Sequence, residues 1–371
     1  MKKAITIFAV LVAIVSFGDS TSVNAIERLL NSRVSGSRNS YLNAADEVMS
    51  QAKKGKKLYG YVAAILSTEP DAPPNLRMDD ETRNNYINAC EGLLKTQATL
   101  KNNPMAWYLL SLRTGDTNTL KKAVDAGNVQ ALNAWGTLLV NKRSALASST
   151  NEVNTLLLEA FNCFNSAANK KDVNGIYNTG TCYWMGIGVP KDEHRAFEYF
   201  KAAAKEGHPE AINNIGAFFR EGIVVDKDLE TSVKWFAKSA SYGNPYGQFN
   251  YALALRKGEG ISKDLHEAAR LMQIAAASGC VEAIDAYGCM LWKGEGVLED
   301  TKKAFSLFLQ AAKADYPPAM ENLSTCYQQG KGVEANQQKS IEWKIRSRAA
   351  RGDRNAQLWL IQNNKLKIEE H

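Results

Sequence analysis

Residues 175–210 read GIYNTGTCYWMGIGVPKDEHRAFEYFKAAAKEGHPE, and residues 211–246 repeat the same pattern as AINNIGAFFREGIVVDKDLETSVKWFAKSASYGNPY. Further copies follow at steps of 36 residues from Gly247, Ala283 and Ala319, and a truncated sixth opens at Ala356 after one inserted residue. A fixed period of this length indicates that each copy is one structural unit and that stacked neighbours bury a shared core. The second half of the sequence therefore predicts a repeat protein.

Each copy carries the same residue types in phase. A small residue lies early in the copy, a Gly-x-Gly pair marks a loop, an aspartate follows the loop, and paired small residues precede a late glycine. Small side chains let helices approach closely, glycine permits left-handed backbone angles, and aspartate suits the start of a helix. Each copy is therefore predicted to form a helix, a glycine-rich turn, a second helix and a short turn. The early small residues are Gly180, Gly216, Ala252, Gly288 and Ser324, and the predicted caps are Asp192, Asp228, Asp264 and Asp300.

The pattern A-x-x-x-[LIY]-G-x-x-[FY]-x-x-G-x-G-V-x-x-D-x-x-x-A-x-x-[WYF]-x-x-x-A-A-x-x-G resembles the Sel1-like repeat, a relative of the tetratricopeptide repeat. The match runs from Gly175 to Ala356, with departures at Val224, where a loop glycine is missing, and at Asn336, where the aspartate is replaced. The resemblance implies an all-α fold, an α–α superhelix (solenoid) of tetratricopeptide-like helix-turn-helix repeats. It also implies protein–protein interaction in place of catalysis.

The whole chain divides into segments by pattern and composition. The divergent repeat ahead of the regular copies carries a predicted loop insertion at Lys142–Asn154, which is rich in Ser, Asn and Ala. The predicted segments are a signal peptide at 1–25, a flexible arm at 26–40, an N-terminal helical cap with irregular repeats at 41–130, the divergent repeat at 131–174, five Sel1-like repeats at 175–356 and a C-terminal capping helix or tail at 357–371.

The N-terminal segment has the layout of a bacterial secretory signal peptide. Lys2 and Lys3 precede an almost wholly apolar stretch, Ala4 to Phe17, and small residues lead to Ala25, after which we expect cleavage. An uncleaved anchor is the alternative, but this apolar stretch of about 14 residues is shorter than the roughly 20 that span a bilayer. We therefore predict export to the periplasm, with secretion as the alternative, and no stable membrane insertion after cleavage.

Composition and charge are typical of a folded protein that binds other proteins. Hydrophobic residues make up 45% and charged residues 23% of the chain, which is enough to form a core. The net charge of +6 is spread along the sequence and gives no indication of nucleic-acid binding. The cysteines show neither a CxxC pair nor zinc-like spacing, and both one or two disulfides and six free thiols fit the pattern. They are Cys90, Cys163, Cys182, Cys280, Cys289 and Cys326.

No motif predicts a metal site, a cofactor or an enzyme. The sequence lacks HExxH, GxSxG and a P-loop, and each Gly-x-Gly follows a predicted helix instead of the strand that a dinucleotide site requires. His194 and His266 occupy equivalent places after the capping aspartate and are interpreted as solvated histidines. Ser50 and Lys53 form an SxxK motif, which in penicillin-recognising enzymes holds the nucleophilic serine. The partner motifs SDN and KTG are missing from the sequence. A hydrolase or binding protein for peptidoglycan or β-lactams is therefore kept as the alternative hypothesis and not as the main prediction.

Similarity to tetratricopeptide arrays implies that the first helices line a concave groove. The residues three before, one after and four after the early small residue would face it. Trp184 and Trp292 flank Arg220 and Arg256 there, which suits an acidic or C-terminal peptide. In the alternative interpretation, the tryptophans fill gaps between repeats or another face binds. The predicted groove residues are Tyr177, Trp184, Asn213, Arg220, Phe249, Arg256, Asp285, Trp292, Glu321 and Gln328.

The prediction for function is an exported scaffold that holds a protein or peptide partner in this groove, as an adaptor or regulator in the cell envelope. A secreted effector directed at a host protein is the second alternative. Neither interpretation assigns catalytic residues, a cofactor or a nucleic-acid partner to the protein.

Overall fold

The computed structural model describes residues 79–143 and 150–369, together with the isolated helical positions 46, 49, 50 and 53. Throughout this part of the chain, regular secondary structure is helical, which confirms the predicted all-α fold class. The predicted signal peptide and flexible arm lie outside the described residues.

The chain divides into two compact units. Unit 1 comprises the described residues up to Asn178 with Ile187–Val189, and unit 2 comprises Thr179–Gly186 with the described residues from Pro190 onward. In unit 1, neighbouring helices pack in chain order, and Gly115 ends one of them with a left-handed φ of 69°. The helices of unit 1 are α1 (Asp80–Lys101), α2 (Pro104–Thr114), α3 (Thr117–Asp125), α4 (Val129–Lys142), α5 (Thr150–Asn169) and the start of α6 (Val173–Met185).

Part of the predicted loop insertion at Lys142–Asn154 is helical. Helix α5 begins at Thr150, so the last five residues of that segment are helical, and α5 reaches 20 residues where later second helices have 13 or 14. Glu152 lies in the first turn of α5, where a negative charge is favourable beside the exposed backbone N–H groups. The extra sequence therefore lengthens the second helix at its N-terminal end.

Unit 2 is a solenoid of paired helices. Each first helix packs against its own second helix, and each second helix packs against the next first helix. This alternation gives every helix an apolar face that a neighbour covers. After the remainder of α6, the helices are α7 (Glu193–Lys205), α8 (Pro209–Glu221), α9 (Leu229–Ser241), α10 (Pro245–Lys257), α11 (Leu265–Ala277), α12 (Val281–Lys293), α13 (Thr301–Lys313), α14 (Pro317–Gln329), α15 (Gln337–Ala350) and α16 (Arg354–Glu369).

The predicted caps begin the second helices. The Asp228 and Asp264 carboxylates each accept a hydrogen bond from the backbone N–H three residues later, at 3.0 Å. Asn336, the departure from the pattern, does the same for α15 at 2.9 Å. Because an amide oxygen accepts this bond as a carboxylate does, the replacement keeps the cap.

At the early small residue, a side chain of the second helix packs directly against the backbone of the first helix. A Cβ atom at Gly216 would lie 2.7 Å from the ring of Phe236, and one at Gly288 would lie 2.7 Å from the ring of Phe308. Both rings are almost fully buried. A larger residue at these positions would push the second helix away from the first, because packed interiors have little spare volume.

The second glycine of each Gly-x-Gly loop meets the preceding repeat. A Cβ at Gly296 would overlap the carbonyl oxygen of Leu265, the first residue of α11, and Gly296 also has a left-handed φ of 69°. Val224 occupies the equivalent place in its own loop and still adopts a left-handed φ of 68°. This conformation is strained for a β-branched residue, so the stacking of repeats imposes it.

Candidate protein-binding surface

The residues four positions after the early small residue lie at equivalent places near the C-terminal ends of consecutive first helices. Trp184, Arg220, Arg256 and Trp292 are half-buried, and Gln328 is exposed. Because stacked repeats present equivalent positions side by side, these five residues of unit 2 form one series, here named the first-helix row.

Both arginines of the first-helix row contact the next repeat. The Arg256 Nε and Nη2 atoms lie 2.8 and 2.7 Å from the Glu295 Oε2 atom, in the following Gly-x-Gly loop. Arg220 donates from Nε to Glu221 at 2.8 Å and from Nη1 to Asn250 at 2.9 Å. About a third of the Arg220 side chain and a fifth of the Arg256 side chain stay exposed, at 33% and 22%. The arginines therefore join repeats and still present N–H donors at the surface.

The two tryptophans of the row pack within unit 2. The Trp184 ring centre lies 5.0 Å from that of Phe218, and the Lys191 ammonium lies 5.1 Å from the Trp184 ring centre. The Trp292 ring lies 6.3 Å from that of Phe308, with the Lys331 ammonium at 4.7 Å. The Trp184 contact joins two repeats, as in the interpretation that tryptophans fill space between repeats, whereas Trp292 packs on the second helix of its own repeat. Both rings stay partly accessible.

Residues three positions before the small residue make polar contacts between repeats. Asn250 Nδ2 donates to Asn213 Oδ1 at 2.9 Å, and Asn322 Nδ2 donates to Asp285 Oδ1 at 2.7 Å. Burial raises the pKa of Asp285, and the hydrogen bond from Asn322 opposes that rise. Phe249, the equivalent residue between these two, is half-buried. At this predicted position, Asn213 and Asp285 thus form contacts between stacked repeats.

The asparagine partners were missed in the sequence interpretation. They lie two positions before the small residue, and the signal that identifies them is their recurrence at the 36-residue period. In unit 1, Asn178 donates to Asn133 at 3.2 Å, and the neighbouring Tyr177 is half-buried. In unit 2, Glu321 is exposed and its carboxylate lies 2.9 Å from Arg351. The recurring asparagines are Asn178, Asn214, Asn250 and Asn322.

The structure gives little support to the other candidate reactive residues. Ser50 and Lys53 are both exposed, and the peptidoglycan or β-lactam hypothesis stays a prediction. His194 and His266 are exposed, as predicted. Among the described side chains the cysteines are free thiols, and burial raises the pKa of Cys182 to about 12. In the described ranges, no three His, Cys, Asp or Glu side chains gather as metal ligands, and none of the helices there has the length and apolarity to cross a bilayer.

Comparison with known families identifies the repeats. The Sel1 repeat model matches residues 173–208, 209–244, 245–280, 281–316 and 317–343. This segment belongs to the Sel1 repeat family. Every matched Sel1 repeat starts at the first residue of a first helix, from Val173 of α6 to Pro317 of α14. Sel1 repeat solenoids generally mediate protein–protein interaction.

A solved structure shares the solenoid fold. A Sel1 repeat protein from Oxalobacter formigenes is 24% identical, with a TM-score of 0.57, over 67% of this chain and 100% of that one. A protective antigen of uropathogenic Escherichia coli with an SLR fold is 21% identical, with a TM-score of 0.49, over 84% of this chain and 65% of that one. Among curated proteins there is no match. The structural likeness therefore concerns the solenoid fold alone.

Proposed function

We propose that this Sel1 repeat protein is an exported scaffold that binds a protein partner along the first-helix row, as an adaptor or regulator in the cell envelope. The observation that carries the proposal is the row itself, in which aromatic and arginine side chains stay partly accessible at equivalent positions of consecutive repeats. Tryptophan and arginine are the residues that most often dominate interface energetics.

The chemistry of the row favours a partner with carboxylates. Arg256 uses two of its five N–H donors on one oxygen of Glu295, and a guanidinium can bind a second carboxylate through those that remain. Trp292, at the equivalent position of the next repeat, offers apolar area beside that charge. An extended acidic segment or the carboxyl terminus of a partner protein therefore fits the chemistry of the row.

Site-specific crosslinking tests this assignment. A photo-crosslinking residue replaces Arg256 in one variant and Gln328 in another, and the matched control carries it at Gln273, an exposed position of the second helix α11. We expect discrete protein adducts from the row positions, identified by mass spectrometry, and none from Gln273. Absence of adducts, or equal adducts from all three positions, would contradict binding at the row.

The proposal of export rests on the N-terminal sequence, in which Lys2 and Lys3 precede the apolar stretch Ala4 to Phe17. Cell fractionation with mass measurement of the mature protein provides the test. We expect a periplasmic protein that begins at Ile26. Recovery from the culture medium would favour the secreted effector instead, and an intact N-terminus in the cytoplasm would exclude both.

A further inference from the structure

One loop of unit 2 exposes a leucine that the solenoid does not use. Leu298 lies between α12 and α13 and is 92% exposed, the highest exposure among the large hydrophobic residues described. The equivalent residues of the other four repeats are Pro190, Asp226, Ser262 and Glu334. Since those repeats form the same turn without a large apolar side chain there, folding does not explain Leu298.

Depressions lie on both sides of Leu298. One, of about 680 Å³, lies toward Lys263 and His266 at the start of α11, and Leu265 and Val297 add apolar walls. The other, of about 670 Å³, lies toward Lys302 at the start of α13. An exposed leucine between two open depressions is a shape that can contact the side chains of an extended partner segment on both flanks.

Around Leu298, the acidic side chains have partners, whereas two lysines form no ion pair with a described residue. The Asp264 and Asp300 carboxylates accept backbone N–H groups at the starts of α11 and α13, and Glu299 lies 3.0 Å from the Lys331 ammonium. Lys263 and Lys302 are exposed, and neither forms an ion pair with any residue in the described part of the chain. The groups left for a partner are therefore cationic and apolar.

We propose that this loop edge, formed by Leu298 with Lys263, His266 and Lys302, is a second docking surface, for an acidic protein segment that carries a large apolar side chain. It lies on the Gly-x-Gly loops, whereas the first-helix row lies on the first helices, so the two surfaces can be tested separately. A single leucine provides little area for holding a protein at a bilayer, because even one acyl chain binds only marginally. The flanking depressions favour a peptide over an anionic membrane.

Selection of short random peptides displayed on phage against the full-length protein tests the proposal. We expect enrichment of peptides that combine Asp or Glu with Leu, Phe or Trp. Their affinity, measured by fluorescence polarisation, should fall about tenfold or more in Leu298→Ser, which installs the residue of the preceding repeat, and in the double variant Lys263→Glu, Lys302→Glu.

The matched control is the double variant Lys201→Glu, Lys234→Glu, which makes the same charge change on exposed second-helix positions and should leave the affinity within about twofold. Circular dichroism confirms that each variant is folded. Selection of no acidic peptide, or affinity unchanged in the Leu298 variant, would overturn the proposal. So would binding to phosphatidylglycerol vesicles that needs Leu298 in the absence of peptide binding, since the surface would then recognise lipid.

Discussion

The two glycines of one loop offer a direct measure of how stacking stabilises the solenoid. Gly294 and Gly296 have almost the same left-handed φ, 68° and 69°. They differ in surroundings, because a Cβ at Gly294 has its nearest neighbour at 3.6 Å, whereas a Cβ at Gly296 overlaps the Leu265 carbonyl. Alanine at each position therefore changes the backbone preference equally and the contact with α11 unequally.

The expected losses follow from these two effects. A left-handed L-residue costs about 1–2 kcal/mol, and alanine recovers about 0.4–1 kcal/mol by restricting the unfolded state. Gly294→Ala should therefore lower the free energy of unfolding by about 0.5–1 kcal/mol. Gly296→Ala adds the cost of overpacking, about 1–3 kcal/mol, and should lower the free energy of unfolding by about 1.5–4 kcal/mol.

Urea denaturation followed by far-UV circular dichroism gives the two free energies. Because a repeat array can unfold in parts, amide hydrogen exchange of α11 and α12 serves as the local measurement. Exchange in these helices should accelerate far more in Gly296→Ala than in Gly294→Ala. Equal losses in the two variants would refute the argument that the close approach to Leu265 determines the need for glycine.

Substitutions at three further positions have defined outcomes. Gln248 is 8% exposed, and its Oε1 atom has no hydrogen-bond partner among the described residues. Gln248→Met, nearly equal in volume, should therefore raise the free energy of unfolding measured in urea by about 1–2 kcal/mol. A lower free energy of unfolding would show that the amide has a partner. Asp264→Ala should lower the free energy of unfolding by about 1 kcal/mol in the same assay, because the helix cap is lost. Asp264→Asn should keep most of the capping stabilisation, since Asn336 caps α15 in the same way. Burial raises the pKa of Asp285, so the folded protein keeps the Asp285 carboxyl protonated at pH values where the unfolded protein has lost that proton. The contribution of Asp285 to stability therefore rises as the pH falls through the raised pKa. Asp285→Asn should therefore be more stable than the parent protein at neutral pH, with an advantage that shrinks on acidification; a pH-independent difference between their urea midpoints would contradict this.

Much of the fold was predictable because its requirements are local and recur at a fixed period. A capping carboxylate needs only the next three residues of its own helix, as at Asp228. The small residue at Gly216 and the ring at Phe236 recur one period earlier, as Gly180 with Phe200, and two periods later, as Gly288 with Phe308, so their contact is visible as a pattern. The start of α5 at Thr150 escaped prediction because the insertion has no equivalent in the other repeats.

The candidate surface was less predictable, because the accessibility of a side chain depends on its neighbours. The repeat pattern assigns Arg256 to a first helix, but its partner Glu295 lies 39 residues away in the next loop. The position of Asp285 was predicted from the repeat pattern, whereas its burial and its bond to Asn322 depend on how the next repeat stacks. The exposure of Leu298 likewise has no marker in the sequence other than its difference from equivalent residues.

By itself the sequence determined the repeat, the helix pairs, the caps and the glycine turns of unit 2, since each is a backbone requirement met within a few residues. Only the tertiary structure decided that the arginines of the first-helix row are shared with neighbouring repeats, that Val224 adopts a left-handed conformation, and that Leu298 stands exposed between two depressions. The physical reason is that stacking brings together side chains one period apart, and their packing and charge depend on both repeats at once.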